Sequence, residues 1–246
     1  MSTPAIYRAV LDNARGLLGS SPPRGLTLLD LGAGHGDLIA LFQQEWGVEA
    51  TALDFHIERF HLKDVPIHQG DLNRGPLPFA AASFDLVTAS EVLEHLENPR
   101  ALLREAARVL KPGGIAIFTT PNALNLKSRL RFLLSGFFNL FGPLPMRNDK
   151  LYSVGGHITP LPFFYLAHGM MDAGFEDLRV TVDKRQRSSS AWLLALGPLV
   201  LLGRALFLRQ ETRFQTLTPE NRPLVARHWS LDLLTGRTVV VGGRCS

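Results

Sequence analysis

Apolar positions at helical spacing open the chain. Ile6, Val10, Leu11, Leu17 and Leu18 predict a helix over 5–18, stopped by "GSSPPRG". Short apolar runs then alternate with helical patterns. "LTLLDL" (26–31) reads as a buried strand and 36–46 as a helix. "VEATALD" (48–54), "PIHQGD" and "FDLVTAS" (84–90) read as three further strands. "NPRALLREAARVL" (98–110) reads as a helix with Asn98 as N-cap and Pro99 at its first position. "KPGG" ends it, and "IAIFTT" (115–120) reads as the fifth strand. Strand and helix in repetition predict an α/β fold, a mostly parallel sheet with helices on both faces. Ligands of such sheets lie beyond the carboxyl ends of the strands.

After residue 121 the pattern loosens. "SRLRFLLSGFFNLFGPLP" (128–145) is apolar and aromatic, and "LPFFYLAHGMMDAGF" (161–175) reads as a helix closed by Gly174. "EDLRVTVD" (176–183) and "RTVVVGG" (237–243) are strand candidates. Between them lies "SAWLLALGPLVLLGRALFLR" (190–209), the most hydrophobic part of the chain. Residues 191–208 hold one charge, Arg204. They would span ~27 Å as an unbroken helix, close to a bilayer core, although Pro198 argues for a break. Because the strands on either side must enter one sheet, a single crossing is excluded. The segment is expected to lie on a surface, to dip in and return, or to pack against protein. Lys184, Arg185, Arg187, Arg209 and Arg213 flank it, and Lys127, Arg129 and Arg131 lead the other apolar stretch, 132–145. Apolar segments edged with positive charge predict peripheral contact with an anionic membrane through 190–209 and 132–145. A subunit interface or a substrate-cap helix is the alternative.

Composition adds boundaries. At 246 residues and 46% hydrophobic, the chain can fill one core, so 1–246 is expected to be a single domain, with apolar additions at about 123–160 and 184–235. No basic-then-apolar leader opens it, and the single cysteine, Cys245, forms no internal disulfide. Both suggest a cytoplasmic protein, associated with the inner face of a membrane if the apolar segments meet lipid. The net charge of +4 comes from scattered Lys and Arg, so no nucleic-acid partner is expected.

The first strand runs into Gly32-Ala33-Gly34-His35-Gly36, a turn that lets a ligand approach the backbone closely. Asp37 stands where the dinucleotide fingerprint needs its third glycine, and no Gly-Lys-Ser/Thr follows, which disfavours hydride-transfer cofactors and a phosphate loop. Asp54 ends the second strand, where an acid can accept from both ribose hydroxyls; Asp71, after the third, is placed for an adenine amino group. Each acid taken alone also fits a cap or turn.

"LLDLGAGHG" (28–36), "ALDF" (52–55), "GDLN" (70–73), "FDLVTASEVLEHLENP" (84–99) and "LKPGGIAIFTTPN" (110–122) resemble, in order and spacing, the class I S-adenosylmethionine-dependent methyltransferases, most closely the ubiquinone-biosynthesis-like and related small-molecule group. The resemblance implies a Rossmann-like seven-stranded sheet with an antiparallel last strand and S-adenosyl-L-methionine across its carboxyl edge. It implies that the Gly32, Gly34 and Gly36 backbone holds the methionine portion and that Asp30 supports the amino group. Asp54 would bind the ribose, Phe55 would pack on the adenine, Asp71 and Leu72 would meet its polar edge, and Ser90 would line the cleft near the sulfonium.

An in-line displacement then needs chiefly alignment and exclusion of water. A hydroxyl acceptor must also lose its proton, and His157 and His95 are the histidines placed for this by the family pattern. "ASEV" after the fourth strand lacks the motif of nucleobase-amine enzymes, so an oxygen on a small or lipid-linked molecule is the expected acceptor. Glu91, Glu94 and His95 form E-x-x-E-H, which some relatives use to hold a divalent cation, and helical spacing would gather them on one face with His157 as a fourth ligand. No metal is assigned. A non-catalytic cofactor-binding or scaffold protein at a membrane surface, and a nicotinamide-dependent dehydrogenase, are the competing readings.

Overall fold

The computed structural model describes residues 3–19, 22–23, 25–144 and 156–246. Seven strands form one sheet: β1 (Thr27–Leu31), β2 (Glu49–Asp54), β3 (Ile67–Gln69), β4 (Phe84–Ser90), β5 (Leu110–Pro121), β6 (Phe175–Val182) and β7 (Thr238–Cys245), in the order β3-β2-β1-β4-β5-β7-β6. β7 runs antiparallel to both its neighbours, and the other pairings are parallel. The expected fold class therefore stands.

Strand alternation divides the core. Leu28, Ala50, Ala52, Ile115 and Ile117 face α1 (Pro4–Leu18) and α2 (Asp37–Trp46), whereas Leu29, Leu31, Val87, Ala116 and Phe118 face α3 (Pro99–Val109) and α5 (Phe163–Asp172). α1 buries Ile6, Val10, Leu11 and Ala14, one stripe of a helix. Asn98 caps α3 as expected, its side chain accepting from Ala101 N–H, with Pro99 following. β5 starts five residues earlier than the apolar run suggests. Leu110 already pairs with Phe84, and 111–114 bulge out before the register resumes at Leu86 and Ile115. Gly113 supplies the positive φ of 78° that this bulge requires.

Beyond the sheet lie α4 (Leu126–Ser135), α6 (Arg187–Arg213), α7 (Arg222–Arg227) and α8 (Leu231–Thr235). α6 corrects the expectation of a break: its 27 residues run through Pro198. Pro198 is on the exposed side, where water can serve the carbonyl one turn back that a proline leaves without its N–H partner. Gln186 N–H, just before α6, donates to Thr235 O at 2.8 Å, and Phe207 meets Trp229 at a ring separation of 5.5 Å. The helix thus lies along the protein instead of projecting from it. Leu193, Leu196 and Val200 are half-buried, while Leu194 (87% exposed), Leu199, Leu202 and Leu206 face outward. Beside it, α4 exposes Leu133 and Leu134.

A buried polar hub ties these helices to the sheet. The Asn122 side chain donates to Leu233 O and Gly236 O, each at 3.0 Å, and accepts from Leu124 N–H. Asn125 caps α4, donates to Asn122 O at 2.7 Å, and accepts from Ser189 Oγ of α6. Asn122→Ala strands two buried carbonyls and one N–H, so a loss of about 2–4 kcal/mol is expected in urea unfolding. Asn98→Ala, a single exposed cap, should lose about 1 kcal/mol.

Candidate active site

A cleft of about 700 Å³ opens at the carboxyl edges of β1, β2 and β4. Of the residues expected there, Asp30, Gly32, Gly34, Asp54, Phe55, Asp71, Leu72, Ser90, His95 and His157 all line it. Gly36 does not. It is the N-cap of α2 at φ 92°, and a Cβ there would meet Leu62 and Phe60 at 3.0 Å, so it shapes the turn and leaves the ligand surface to Gly32 and Gly34.

The glycine turn spends its own donors. Gly32 N–H (2.8 Å) and Ala33 N–H (3.3 Å) both donate to Leu53 O, and Gly34 N–H donates to Asp54 Oδ2 at 2.8 Å. Asp54 Oδ1 accepts from His56 N–H at 2.7 Å. Each Asp54 oxygen keeps lone-pair capacity for a hydroxyl. Asp71 accepts from Asn73 N–H and pairs with Arg74 at 3.3 Å, so the turn role and the cleft position coincide in one residue.

Asp30 is buried and accepts from the Thr88 hydroxyl at 2.7 Å. Burial pushes its carboxyl up to about 7, against the Thr88 bond and with the Asp54 charge adding to the rise. Glu91 is likewise raised to about 7, chiefly by burial, and Glu94 is raised well above the usual range by burial and by Glu91. Burial lowers His95 and His157, and each ring lies close to the other at 4.9 Å. His95 Nδ1 sits 2.9 Å from Gly156 O, an acceptor only, so Nδ1 carries the proton and Nε2 the lone pair.

These shifts have a testable consequence. A carboxyl raised on folding binds its proton more tightly than the unfolded chain does, so stability falls as pH rises toward about 7. The lowered histidines act oppositely, but only below their ordinary value of 6.5. Between pH 6.5 and 8 the carboxyls dominate, and the Tm of the ligand-free protein should drop. An ammonium bound at Asp30 would pull that carboxyl down, so saturating S-adenosylhomocysteine should shrink the drop and release protons at pH 6.5, read by calorimetry in buffers of different ionisation enthalpy. Asp30→Asn should remove that release.

The E-x-x-E-H expectation needs correction. Residues 93–95 form a single 3-10 turn, and Glu91 precedes it at φ 57°. Glu91 therefore turns to Thr119, whose hydroxyl lies 3.4 Å from its Oε1, instead of joining Glu94 and His95 on a helical face. The groups that do converge, within 4.8 Å, are Glu94, His95 and His157. Neither Glu94 oxygen has a hydrogen bond among the described residues.

Sequence patterns missed Tyr7, Leu140 and Arg237 as lining residues. One signal pointed to Arg237: a residue just before an antiparallel strand falls at the carboxyl edge of its parallel neighbours. Leu140 comes from the apolar stretch after α4, of which 145 lies outside the described residues, as does "YSVG" (152–155) before Gly156.

A family model described as "Methyltransferase domain" matches residues 6–180. The chain belongs to this methyltransferase domain family. A ubiquinone biosynthesis O-methyltransferase of Caulobacter vibrioides is 38% identical over 112 residues, 42% of this chain and 43% of that one. A second, from Vibrio cholerae, is 31% identical over 144 residues, 55% of each. The chain spans about half the length of the curated relatives it matches. An Archaeoglobus fulgidus SAM-dependent methyltransferase superposes with a TM-score of 0.59 at 15% identity, covering 97% of this chain and 94% of that one, a likeness of fold.

S-adenosyl-L-methionine is the cofactor of this methyltransferase domain family, and the site fits it. A Cβ on Gly34 would meet no atom within 4 Å, leaving open space against the turn. Asp30, Asp37, Asp54, Asp71 and Glu91 line that space, outnumbering Arg59 and Arg237, an acid-rich set suited to a ligand bearing an ammonium and a sulfonium. A dinucleotide pyrophosphate would need free turn N–H groups, and here those of Gly32, Ala33 and Gly34 are committed to Leu53 and Asp54 and that of Gly36 to Ala33.

Proposed function

We propose that the protein transfers the methyl group of S-adenosylmethionine to an oxygen of a lipophilic acceptor, working as one domain at a membrane surface. The acid-lined glycine turn with its donors turned inward carries this reading, because it favours a cationic cofactor over a phosphate-bearing one. Bound there, the cofactor supplies an activated methyl group. Gly32 and Gly34 let it lie close, Asp54 has capacity for the ribose hydroxyls, and Phe55 and Leu72 are beside the space for the adenine. Asp30 would receive the ammonium.

His95 is proposed as the proton acceptor, since its Nε2 lone pair is free of the Gly156 bond and its lowered pKa keeps it neutral at pH 7. His157 would hold His95 in place: its Nδ1 is buried without a hydrogen bond among the described residues, a poor setting for contact with solvent-borne acceptor. The names of the relatives support oxygen as the acceptor atom.

The lipophilic part rests on continuity. Leu140 lines the cleft and is itself exposed, Phe141 packs against His157 at 5.3 Å, and the segment leads back to α4 and the outward leucines of α6. α6 is long and apolar enough to cross a membrane by length and composition, its most apolar 18 residues having a mean hydropathy of 1.9. Its attachment along the protein favours lying on the bilayer. Lys127, Arg131, Lys184, Arg187, Arg209 and Arg213 are exposed around it, whereas Arg129 is spent on Leu124 O and His228 O. Calorimetry with S-adenosylmethionine and S-adenosylhomocysteine, followed by a search for methylated lipid in extracts given labelled cofactor, tests the activity. Absence of binding to either nucleoside would end the proposal.

A further inference from the structure

Arg237 stands on the edge where β7 enters the sheet. Its N–H donates to Lys184 O at 3.0 Å and its carbonyl accepts from Asn122 N–H at 2.9 Å, so the backbone is pinned on both sides. The next residue, Thr238, pairs with Pro121 at the carboxyl end of β5, adjacent to the end of β4 that carries Ser90 and Glu91. The side chain lines the cleft on that side, away from Asp54 and Phe55 at the end of β2.

Among the described residues its guanidinium has no ion pair within 4.0 Å and no hydrogen bond. Many other arginines near acids are engaged: Arg15 with Asp12 and Glu45, Arg108 with Glu105, Arg185 with Asp232. The Arg237 charge acts on Glu91 without an ion pair within 4.0 Å: Glu91 is directed at Thr119, and the nearby strand-end acid Asp183 accepts from Thr238 N–H through Oδ1. A half-buried guanidinium facing a ligand cleft with its five donors unspent is built to take an oxyanion in a bidentate grip.

We infer that the acceptor carries an anionic group, a carboxylate or a phosphate-type oxyanion, beside its methyl-accepting oxygen, and that Arg237 receives it. The inference rests on the methyltransferase reading and deepens it. Arg237 is then a specificity-determining residue. With Leu140 and Phe141 leading to the apolar surface, the acceptor class is an amphiphile: an anionic, hydroxyl-bearing head on a hydrocarbon tail.

The test uses full-length protein loaded with S-adenosylhomocysteine and three probes: 3,4-dihydroxy-5-decylbenzoate, its methyl ester, and the matching arylphosphonate. The ester keeps the ring's electron demand and tail but removes the charge. Calorimetry should show the acid, the phosphonate or both binding roughly tenfold or more tighter than the ester, and which of the two binds better separates carboxylate from phosphate recognition. Arg237→Gln should erase the preference, Arg237→Lys should restore part of it, and affinity for S-adenosylhomocysteine should stay within about twofold. Equal binding of acid and ester, no binding of either anion, or a preference that survives Arg237→Gln would overturn the inference. So would loss of S-adenosylhomocysteine binding in Arg237→Gln alone, which would assign the arginine to the cofactor. If the unsubstituted protein fails to bind S-adenosylhomocysteine, the methyltransferase reading itself has failed.

Discussion

Gly34→Val should weaken S-adenosylhomocysteine binding by at least about 100-fold while the protein still folds. The position has φ 55°, and a Cβ there would meet no heavy atom of the protein within 4 Å. The added side chain is therefore accommodated by the fold and stands in the space proposed for the cofactor. Backbone strain from a β-branched residue at positive φ is about 1–3 kcal/mol, a visible drop in Tm of the free protein. Gly34→Asn separates the two effects, because asparagine tolerates this conformation while still filling the cleft. Both variants should lose the rise in Tm that the nucleoside gives the unaltered protein. Gly32→Ala is a different case: its Cβ would fall 2.4 Å from Val92 Cγ2, so it should damage packing as well as binding. If Gly34→Val bound the nucleoside within threefold of the parent, the cofactor would not lie against this turn.

The second large effect concerns lipid. Replacing Leu194, Leu199, Leu202 and Leu206 together by serine should abolish flotation with phosphatidylglycerol vesicles. Leaving water for a bilayer interface is worth on the order of 1 kcal/mol per leucine when part of the side chain is covered, so four losses approach three decades in partitioning. The Tm should hardly move, because these side chains already face outward. Binding should also weaken with salt if the surrounding Lys and Arg contribute. Unchanged flotation would remove lipid as the occupant of this face. A shift from dimer to monomer in the variant, with no flotation by the parent, would mark the face as a subunit interface.

The sheet was legible because its strands are buried on both faces and read as continuous apolar runs, and because turns and caps such as Asn98-Pro99 punctuate them. That Asp30, Asp54 and Ser90 would line one cleft was legible for a related reason: topology places such strand-end residues at one edge. What escaped depended on backbone detail. Glu91 adopts a left-handed conformation that no spacing rule anticipates, which turns it to Thr119 and keeps it out of the cluster of Glu94, His95 and His157. Pro198 stays helical because its solvent side makes the lost hydrogen bond tolerable. Arg129 looked like a surface charge until its carbonyl partners appeared. Arg237 and Leu140 reach the cleft from distant parts of the chain, where only the assembled sheet brings them near.

The Asn122–Asn125–Ser189 hub sets one more property. Since α6 is bonded through Ser189 to the cap of α4, and through that cap to the residue following β5, the outer helices cannot swing independently of the cleft wall. A support resting against those helices would carry the cleft mouth at a constant standoff. Tail length would then act as a ruler: an acceptor anchored in the support is turned over only when its reactive oxygen stands at the right height, and shorter or longer homologues should fall away on either side of one optimum.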